Sequence, residues 1–177
     1  MNILSLPSLK DEATCFVLQT KRSLTTLSDI LRKAQEQPNA SELPSSRLYE
    51  DMKSLSYQVF AATTHTLMVL AKLNNTPFPD VDASKDVLYT YEEMHTRIDE
   101  ALRAIDATDK NYIVEHCEDV TPAPLGPNLQ PFSGVAYAGI FQANIFFHVT
   151  TAYGILRKEG VPLGKRDYLT PFVMIQE

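Results

Sequence analysis

Clusters of basic residues are missing from this sequence. It has 16 Lys and Arg against 22 Asp and Glu, so the formal net charge is -6 and the isoelectric point is near 5.2. Basic residues adjoin only in pairs, such as Lys21–Arg22 and Lys165–Arg166. A nucleic-acid backbone or an anionic membrane is bound by clustered Lys and Arg side chains. The composition therefore predicts neither a nucleic-acid nor a membrane partner.

Cysteine is also scarce. Cys15 and Cys117 are the only two, and their separation fits neither a metal-binding spacing nor a disulfide framework. We expect two free thiols in a reducing compartment. The N-terminal stretch "MNILSLPSLKDEA" lacks the basic start and long apolar run of a signal peptide, which favours a cytoplasmic location.

No Gly/Ser-rich linker divides the chain, so a single domain over residues 1–177 is expected. The sequence also contains no serine-nucleophile motif, glycine-rich phosphate loop or paired-carboxylate motif. These absences exclude the most recognisable hydrolase and nucleotide-binding classes.

Four segments have apolar residues at helical spacing, over about 9–37, 48–74, 90–107 and 133–159. Thr90 followed by Glu93 is a capping box that marks the start of the third segment. No stretch alternates convincingly with period two, although "NYIVEHCEDV" could be a short extended segment. The pattern predicts an all-α four-helix bundle with one long irregular crossover (109–132) before the last helix and an ordered C-terminal tail.

The fourth predicted helix has no Asp, Glu, Lys or Arg between Ser133 and Leu156. A membrane span needs about 20 apolar residues. This segment carries Gln142, Asn144 and His148, and the other three helices need something to pack on. We therefore expect a bundle helix that is apolar all round because it is surrounded.

His148 is the candidate catalytic residue, because it lies on the core stripe of the fourth helix. A buried imidazole must have its nitrogens bonded, and Asn144 lies one turn before it. One interpretation is a core histidine that tethers the tail. The other is an imidazole at a pocket, able to move a proton near neutral pH. Other polar residues on the core segments are Tyr57, Gln58, Thr63, Thr64, Tyr137 and Gln142.

The tail "GVPLGKRDYL" has Pro162 and Gly164, which favour a defined turn. An ion pair between Arg157 and Asp167 would hold it as a solvated tail. Alternatively it forms a lid, with Lys165 contacting a ligand. Tyr153 lies one turn before Arg157 and would border the same pocket.

A metal is the alternative to metal-free chemistry. His65, His95 and His148 lie on three different helices, and a catalytic metal site takes about three protein ligands. No pair among them has the i,i+3 or i,i+4 spacing that places two ligands on one face of a helix. We expect no cofactor, with a divalent metal at these histidines as the alternative.

Three stretches resemble a known family: "TPFPD", "YEEMHTRIDEALRAI" and above all "FFHVTTAYGILRKEGVPLGKRDYL". The similarity covers roughly residues 48–169. It is to a family of bacterial and fungal proteins of unknown function within the DinB/YfiT-like four-helix-bundle superfamily of metalloenzymes. That resemblance implies the bundle fold.

In the wider superfamily, three histidines from different helices hold a divalent metal, and several members are hydrolases or thiol transferases. By position, the resemblance carries over only His148. His65 falls in a helix that supplies a ligand in metal-binding relatives, and the superfamily's closely spaced histidine pair is missing. Fungal relatives look like small biosynthetic proteins, which implies secondary metabolism.

Three hypotheses follow. The first is a small-molecule enzyme that carries out isomerisation, dehydration or cyclisation, with His148, Asn144 and Tyr153 as catalytic residues. Its substrate contacts would be His65, Tyr57, Tyr137, Lys165, Asp167 and Arg157. The second is a divalent-metal hydrolase or transferase. The third is a non-catalytic bundle that binds a ligand or partner. In each case we expect a homodimer that buries an apolar stripe.

Overall fold

The computed structural model describes residues 9–81 and 86–173, and most of these residues are helical. The helices are α1 (Leu9–Gln35), α2 (Leu55–Leu73), α3 (Tyr91–Asp106), α4 (Lys110–His116), α5 (Gly134–Lys158) and α6 (Lys165–Val173), with a 3₁₀ helix at Leu43–Ser45. The strands are β1 (Thr121–Leu125) and β2 (Asn128–Phe132). The predicted second helix begins seven residues late, at Leu55 rather than near position 48.

Side-chain caps explain where the helices begin. The hydroxyls of Ser54 and Ser133 accept hydrogen bonds from backbone N–H groups in the first turns of α2 and α5. Thr90 and Glu93 form the predicted capping box at the start of α3. Each cap satisfies backbone donors that a helix leaves without partners at its N-terminus.

The helices α1, α2, α3 and α5 form a four-helix bundle, as predicted. In this bundle α5 packs against both α1 and α2, while α3 packs against α2 and α1. The shared core includes Leu24, Leu27, Val59, Ile98 and Ile145, none more than 1% exposed.

Helices α2 and α3 run in the same direction. Near their N-termini, Ser56 Oγ contacts the Tyr89 carbonyl oxygen and donors of Ser54 contact the Asp86 carboxylate. The chain that leaves α2 at its far end must therefore come back to the first end of the bundle before α3 begins. The predicted helix bounds left room for this connection, but its direction was not predicted.

The predicted irregular crossover before the last helix is long, but it is regular structure. The stretch 111–120 could have been a short extended segment, but Lys110–His116 form α4, because the Asp109 carboxylate caps the first turn. The proline-rich segment that follows is an antiparallel hairpin with Leu125 opposite Asn128. Prolines are tolerated there because both strands of a two-stranded hairpin are edges, and Gly126 takes the positive φ of the turn.

The ordered tail is helix α6, which lies against α1 and one side of α5. Thr26 Oγ1 donates to the Tyr168 carbonyl oxygen at 2.8 Å, and the Tyr168 ring meets Tyr153 edge-on. The side chain of Lys33 contacts the Asp167 carboxylate.

Helix α5 is a bundle helix, but it is not surrounded as predicted. Ile140 and Phe147 are 42% and 56% exposed. Within residues 9–81 and 86–173, no helix combines the length and hydropathy that crossing a membrane requires.

Candidate functional site

The imidazole of His148 points into the contact between α5 and α2. It is 9% exposed, and its Nδ1 lies 2.8 Å from Oε1 of Gln58 on α2. Gln58 itself is 2% exposed. A hydrogen bond between two buried side chains of different helices fixes the orientation of both.

The contacts of Gln58 also fix which nitrogen of His148 carries the proton. Gln58 Nε2 donates to the carbonyl oxygen of Lys53 at 3.0 Å, and a carbonyl can only accept. The other amide atom, Oε1, must therefore face His148 and accept from Nδ1–H. Neutral His148 thus keeps the lone pair on Nε2, the nitrogen available for other chemistry.

A second imidazole lies beside the first. His65 is two turns after Gln58 on α2, and its ring centroid is 5.5 Å from that of His148 and 5.0 Å from that of Phe141. Nδ1 of His65 is buried and has no hydrogen-bond partner among the residues that the structure describes. A buried polar atom without a partner costs about 1–3 kcal/mol. Such an atom is expected where a ligand completes the hydrogen bonding.

Both imidazoles are neutral at pH 7. Burial lowers the pKa of His65 and of His148 to about 4, from the ordinary value of 6.5. For His148 the neighbouring His65 lowers the pKa further, because two positive charges at this distance would repel. The pair therefore offers lone pairs and N–H groups rather than positive charge.

Aromatic side chains border the imidazoles. The rings of Tyr57 and Phe147 meet His148 edge-on, with centroids 6.2 and 5.3 Å away. Burial raises the pKa of the Tyr57 hydroxyl, and the Asp86 carboxylate raises it further. Tyr57 and His65 are partly exposed. These rings form an apolar wall at the outer edge of the α2–α5 contact, which is the environment that small organic ligands commonly occupy.

The structure brings together three of the predicted site residues: His148, His65 and Tyr57. Asn144 lies one turn before His148 on α5, but the residue that bonds to the imidazole is Gln58, at Nδ1. Tyr153 is on the side of α5 that faces α6, against Tyr168, and does not border the imidazoles.

The predicted tail residues also lie elsewhere. Arg157 donates to the Val161 carbonyl oxygen rather than pairing with Asp167. Asp167 instead pairs with Lys33 and accepts from the backbone N–H of Gly164. Because Lys165 and Asp167 begin α6, which lies against α1, the tail does not form a lid over His148.

Tyr137 is fully buried in the first turn of α5, beside the hairpin. Its hydroxyl donates to the Pro124 carbonyl oxygen at 2.8 Å and so anchors the hairpin. Its ring lies among Phe132, Phe78 and Phe141. The hydroxyl already has a protein partner, so the structure gives Tyr137 a role in packing.

The three histidines of the metal alternative do not meet. Nδ1 of His95 on α3 is 3.4 Å from the Ser28 hydroxyl of α1. Within residues 9–81 and 86–173, no three or more His, Cys, Asp or Glu side chains are placed to hold an ion. The oxygen of Gln58 is already occupied by His148. The described residues therefore do not fit a three-histidine centre.

Gln58 is the residue that sequence reasoning placed in the core but did not connect to His148. One sequence signal could have indicated this hydrogen bond. Gln58 is an amide on a helix with few charges, and another such helix carries a core histidine. Its pairing depends on the register between α2 and α5, which the spacing within each helix does not determine.

Comparisons with known proteins extend these observations. A family model described as "Domain of unknown function (DUF1993)" matches residues 14–169. Among solved structures, the chain is similar to the crystal structure of a DinB family member protein from Shewanella denitrificans, with a TM-score of 0.76 and 27% identity. That alignment covers 97% of this chain and 99% of the other. The search of curated proteins gave no match.

Proposed function

This chain belongs to the family described as "Domain of unknown function (DUF1993)" and has the DinB-like fold, and on that premise we propose that it is a small-molecule enzyme. His148 would transfer a proton, and the reaction would be an isomerisation, dehydration or cyclisation. The observation that carries the proposal is the chain of hydrogen bonds from the Lys53 carbonyl through Gln58 to His148. It leaves the Nε2 lone pair of a neutral imidazole beside a second neutral imidazole.

The pKa of His148 limits the substrates that it can deprotonate. Each pKa unit between donor and acceptor costs about 1.36 kcal/mol. Moving a proton from a thiol of pKa about 8.5 to an imidazole of pKa about 4 therefore costs roughly 6 kcal/mol. A turnover of about 10 per second corresponds to a barrier of about 16 kcal/mol, so a thiol or phenol is within reach.

The lowered pKa of His148 favours substrates that are themselves acidic. We therefore propose an acidic O–H, S–H or N–H compound, or a carbon flanked by two carbonyl groups, as the substrate class.

His65 would bind the substrate rather than act as the base. Its buried Nδ1 needs a partner, and a substrate oxygen or N–H would supply it. Tyr57 and Phe147 would pack against the apolar part of the substrate. The role in secondary metabolism that the resemblance implies stays a prediction.

Ligand binding is tested first, with protein labelled with ¹⁵N at histidine and a panel of small thiols and phenols. We expect a binding compound to shift Nε2 of His148 and Nδ1 of His65 in long-range ¹H–¹⁵N spectra. His116, partly exposed at the end of α4, serves as an internal control whose signals should not move. Binding that shifts His116 but neither His65 nor His148 would contradict the proposal.

Turnover of the identified compound is tested next. His148→Gln should abolish turnover while circular dichroism shows an intact fold. Gln58→Leu should change the pH profile, because His148 loses the acceptor that fixes its tautomer. Unchanged turnover in His148→Gln would refute the proposed base.

Elemental analysis of untagged protein checks the metal alternative. If the wild-type protein holds a stoichiometric divalent metal and His148→Gln does not, His148 is a metal ligand and the acid–base proposal is wrong.

A further inference from the structure

Lys72 is a buried lysine in the last turn of α2, away from the imidazole pair. It is the only charged residue of that helix, and it is 7% exposed. Lysine is almost never buried to this extent without a partner of opposite charge. Within residues 9–81 and 86–173, however, none of the salt bridges involves Lys72. A buried cation without a bonded counter-ion indicates a specific structural or chemical role.

The amine of Lys72 is held by one residue of the hairpin. Its Nζ lies 3.2 Å from the Thr121 carbonyl oxygen and also contacts the Thr121 hydroxyl. A carboxylate can only accept from a charged ammonium, whereas a hydroxyl can also donate to the lone pair of a neutral amine. The contact is therefore compatible with both protonation states. Burial lowers the pKa of Lys72, and the Asp119 carboxylate opposes this effect.

Three other lysines of the chain have the usual environment of this residue. Lys21, Lys33 and Lys158 each pair with a carboxylate, and their side chains are 35%, 47% and 52% exposed. Both features favour the charged ammonium, which has no lone pair and cannot attack an electrophile. Lys72 differs in both respects, so we expect its amine to be the better nucleophile near neutral pH.

Lys72 lines a small cavity where the end of α2 meets α4 and the hairpin. The cavity has a volume of about 40 Å³, and its other lining residues include Tyr112, His116, Asp119 and Thr121. A water-sized group needs about 10–15 Å³, so the cavity has room for roughly three non-hydrogen atoms. The side chains of His116 and Asp119 are 38% and 65% exposed, so the cavity reaches the surface and a ligand can enter.

A histidine–aspartate pair lines the same cavity. Nδ1 of His116 lies 2.9 Å from Oδ2 of Asp119. Because a carboxylate accepts, Nδ1 carries the proton of the neutral ring and Nε2 keeps its lone pair. The ring of Tyr112 packs against that of His116, with centroids 4.3 Å apart, and helps to hold it in place. The cavity thus combines an amine with an imidazole that can accept a proton and return it.

We propose that Lys72 captures a small aldehyde of two or three carbon atoms as an imine, with His116 as the proton carrier. An aldehyde fits the cavity because its carbonyl carbon has only one carbon substituent. The neutral amine attacks the carbonyl carbon, and His116 moves one N–H proton to the carbonyl oxygen, which gives a carbinolamine. The second N–H proton follows by the same route, the C–O bond breaks, and water leaves as the C=N bond forms. This site is independent of the function proposed for His148.

Competition between lysines of the same molecule tests the proposal. The full chain is incubated near pH 7 with acetaldehyde and quenched at intervals with borohydride, which reduces an imine to a stable N-ethyl group. Peptide mass spectrometry then measures ethylation at each lysine. We expect Lys72 to react at least about 10-fold faster than Lys21, Lys33 or Lys158, since a positioned proton carrier alone typically contributes more than this. A rate at Lys72 no higher than at these three would overturn the proposal.

Two variants separate the amine from the proton carrier, and circular dichroism checks their fold. Lys72→Arg keeps a cation that can donate to Thr121 but has no nucleophilic amine, so the fast site should disappear. His116→Gln should slow imine formation at Lys72 about 10-fold or more and alter its pH profile, while the rates at Lys21 and Lys33 stay unchanged. A fast site that persists in Lys72→Arg, or a rate at Lys72 that His116→Gln leaves unchanged, would contradict the proposal. If a variant fails to fold, the comparison of lysines within the wild-type chain decides.

Discussion

The buried imidazole pair should make this protein sensitive to mild acid. The pKa values of His65 and His148 are about 4 in the folded protein, against 6.5 in the unfolded chain. Below pH 6.5 the unfolded chain therefore binds protons that the folded protein does not accept until about pH 4. The free energy of unfolding should be unaffected above pH 6.5 and fall as the pH decreases from 6.5 to 4.

The size of the effect follows from these values. A pH of 5 is about 1.5 units below the pKa of a histidine in the unfolded chain. The free energy of unfolding therefore falls by about 2 kcal/mol for each fully buried imidazole. His65 is the more exposed of the two, so its share is smaller. The pair together should lose about 3–4 kcal/mol, a large fraction of the 5–15 kcal/mol that typically stabilises a domain.

Urea unfolding followed by circular dichroism at pH 7.5 and pH 5.0 measures this loss. Between pH 7.5 and pH 5.0, the free energy of unfolding of the double variant His65→Gln/His148→Gln should fall by about 3–4 kcal/mol less than that of the wild type. Other titrating groups are common to both proteins and cancel in the comparison. His116→Gln is the control, because it leaves both buried imidazoles in place and should lose as much as wild type.

An equal loss in wild type and the double variant would refute the reasoning. It would mean that one or both rings are charged or hydrated in the folded protein at pH 5. The neutral Nε2 on which the proposed function depends would then lose its physical basis.

Further predictions concern two glycines of α5 and the ion pair that holds α6. Gly134→Ala should destabilise the protein by about 1–3 kcal/mol, because the added Cβ would lie 2.9 Å from Leu73 Cδ2. Gly154→Ala, where the added Cβ meets ordinary contacts only, should stabilise α5 by up to about 1 kcal/mol; thermal unfolding compares the two. Asp167→Asn removes the ion pair with Lys33, and loss of about 1 kcal/mol with faster amide exchange in α6 would be expected. Unchanged exchange in α6 would mean that this pair does not hold the helix.

The four bundle helices could be predicted from the sequence because each one has its own apolar periodicity and its own cap. Thr90 and Glu93 mark the start of α3 within four residues of chain, so no tertiary information was needed. The hairpin was missed because its apolar and polar residues do not alternate, and its prolines are compatible with a strand only when the strand is an edge. The return of the chain along α2 could not be predicted from periodicity.

The candidate site was predicted less completely than the fold. His148 was singled out because it lies on the core stripe of its own helix, which is local information. Its hydrogen bond to Gln58 joins residues that are 90 positions apart, so it depends on the register between α2 and α5. Asn144 was chosen instead because it lies one turn away on the same helix. The predicted contacts of Arg157 and Asp167 failed for a related reason, since Lys33 of α1 competes for the carboxylate.

The docking of α6 on α1 has a consequence for folding during translation. Thr26 and Lys33 are made early, yet their partners Tyr168 and Asp167 are 142 and 134 positions further along the chain. At about 5–20 residues per second, the first helix waits on the order of 10 seconds for the segments that shield its apolar side. Helix α6 can dock on α1 only after residue 168 has been made, and until then this part of α1 is open to chaperones.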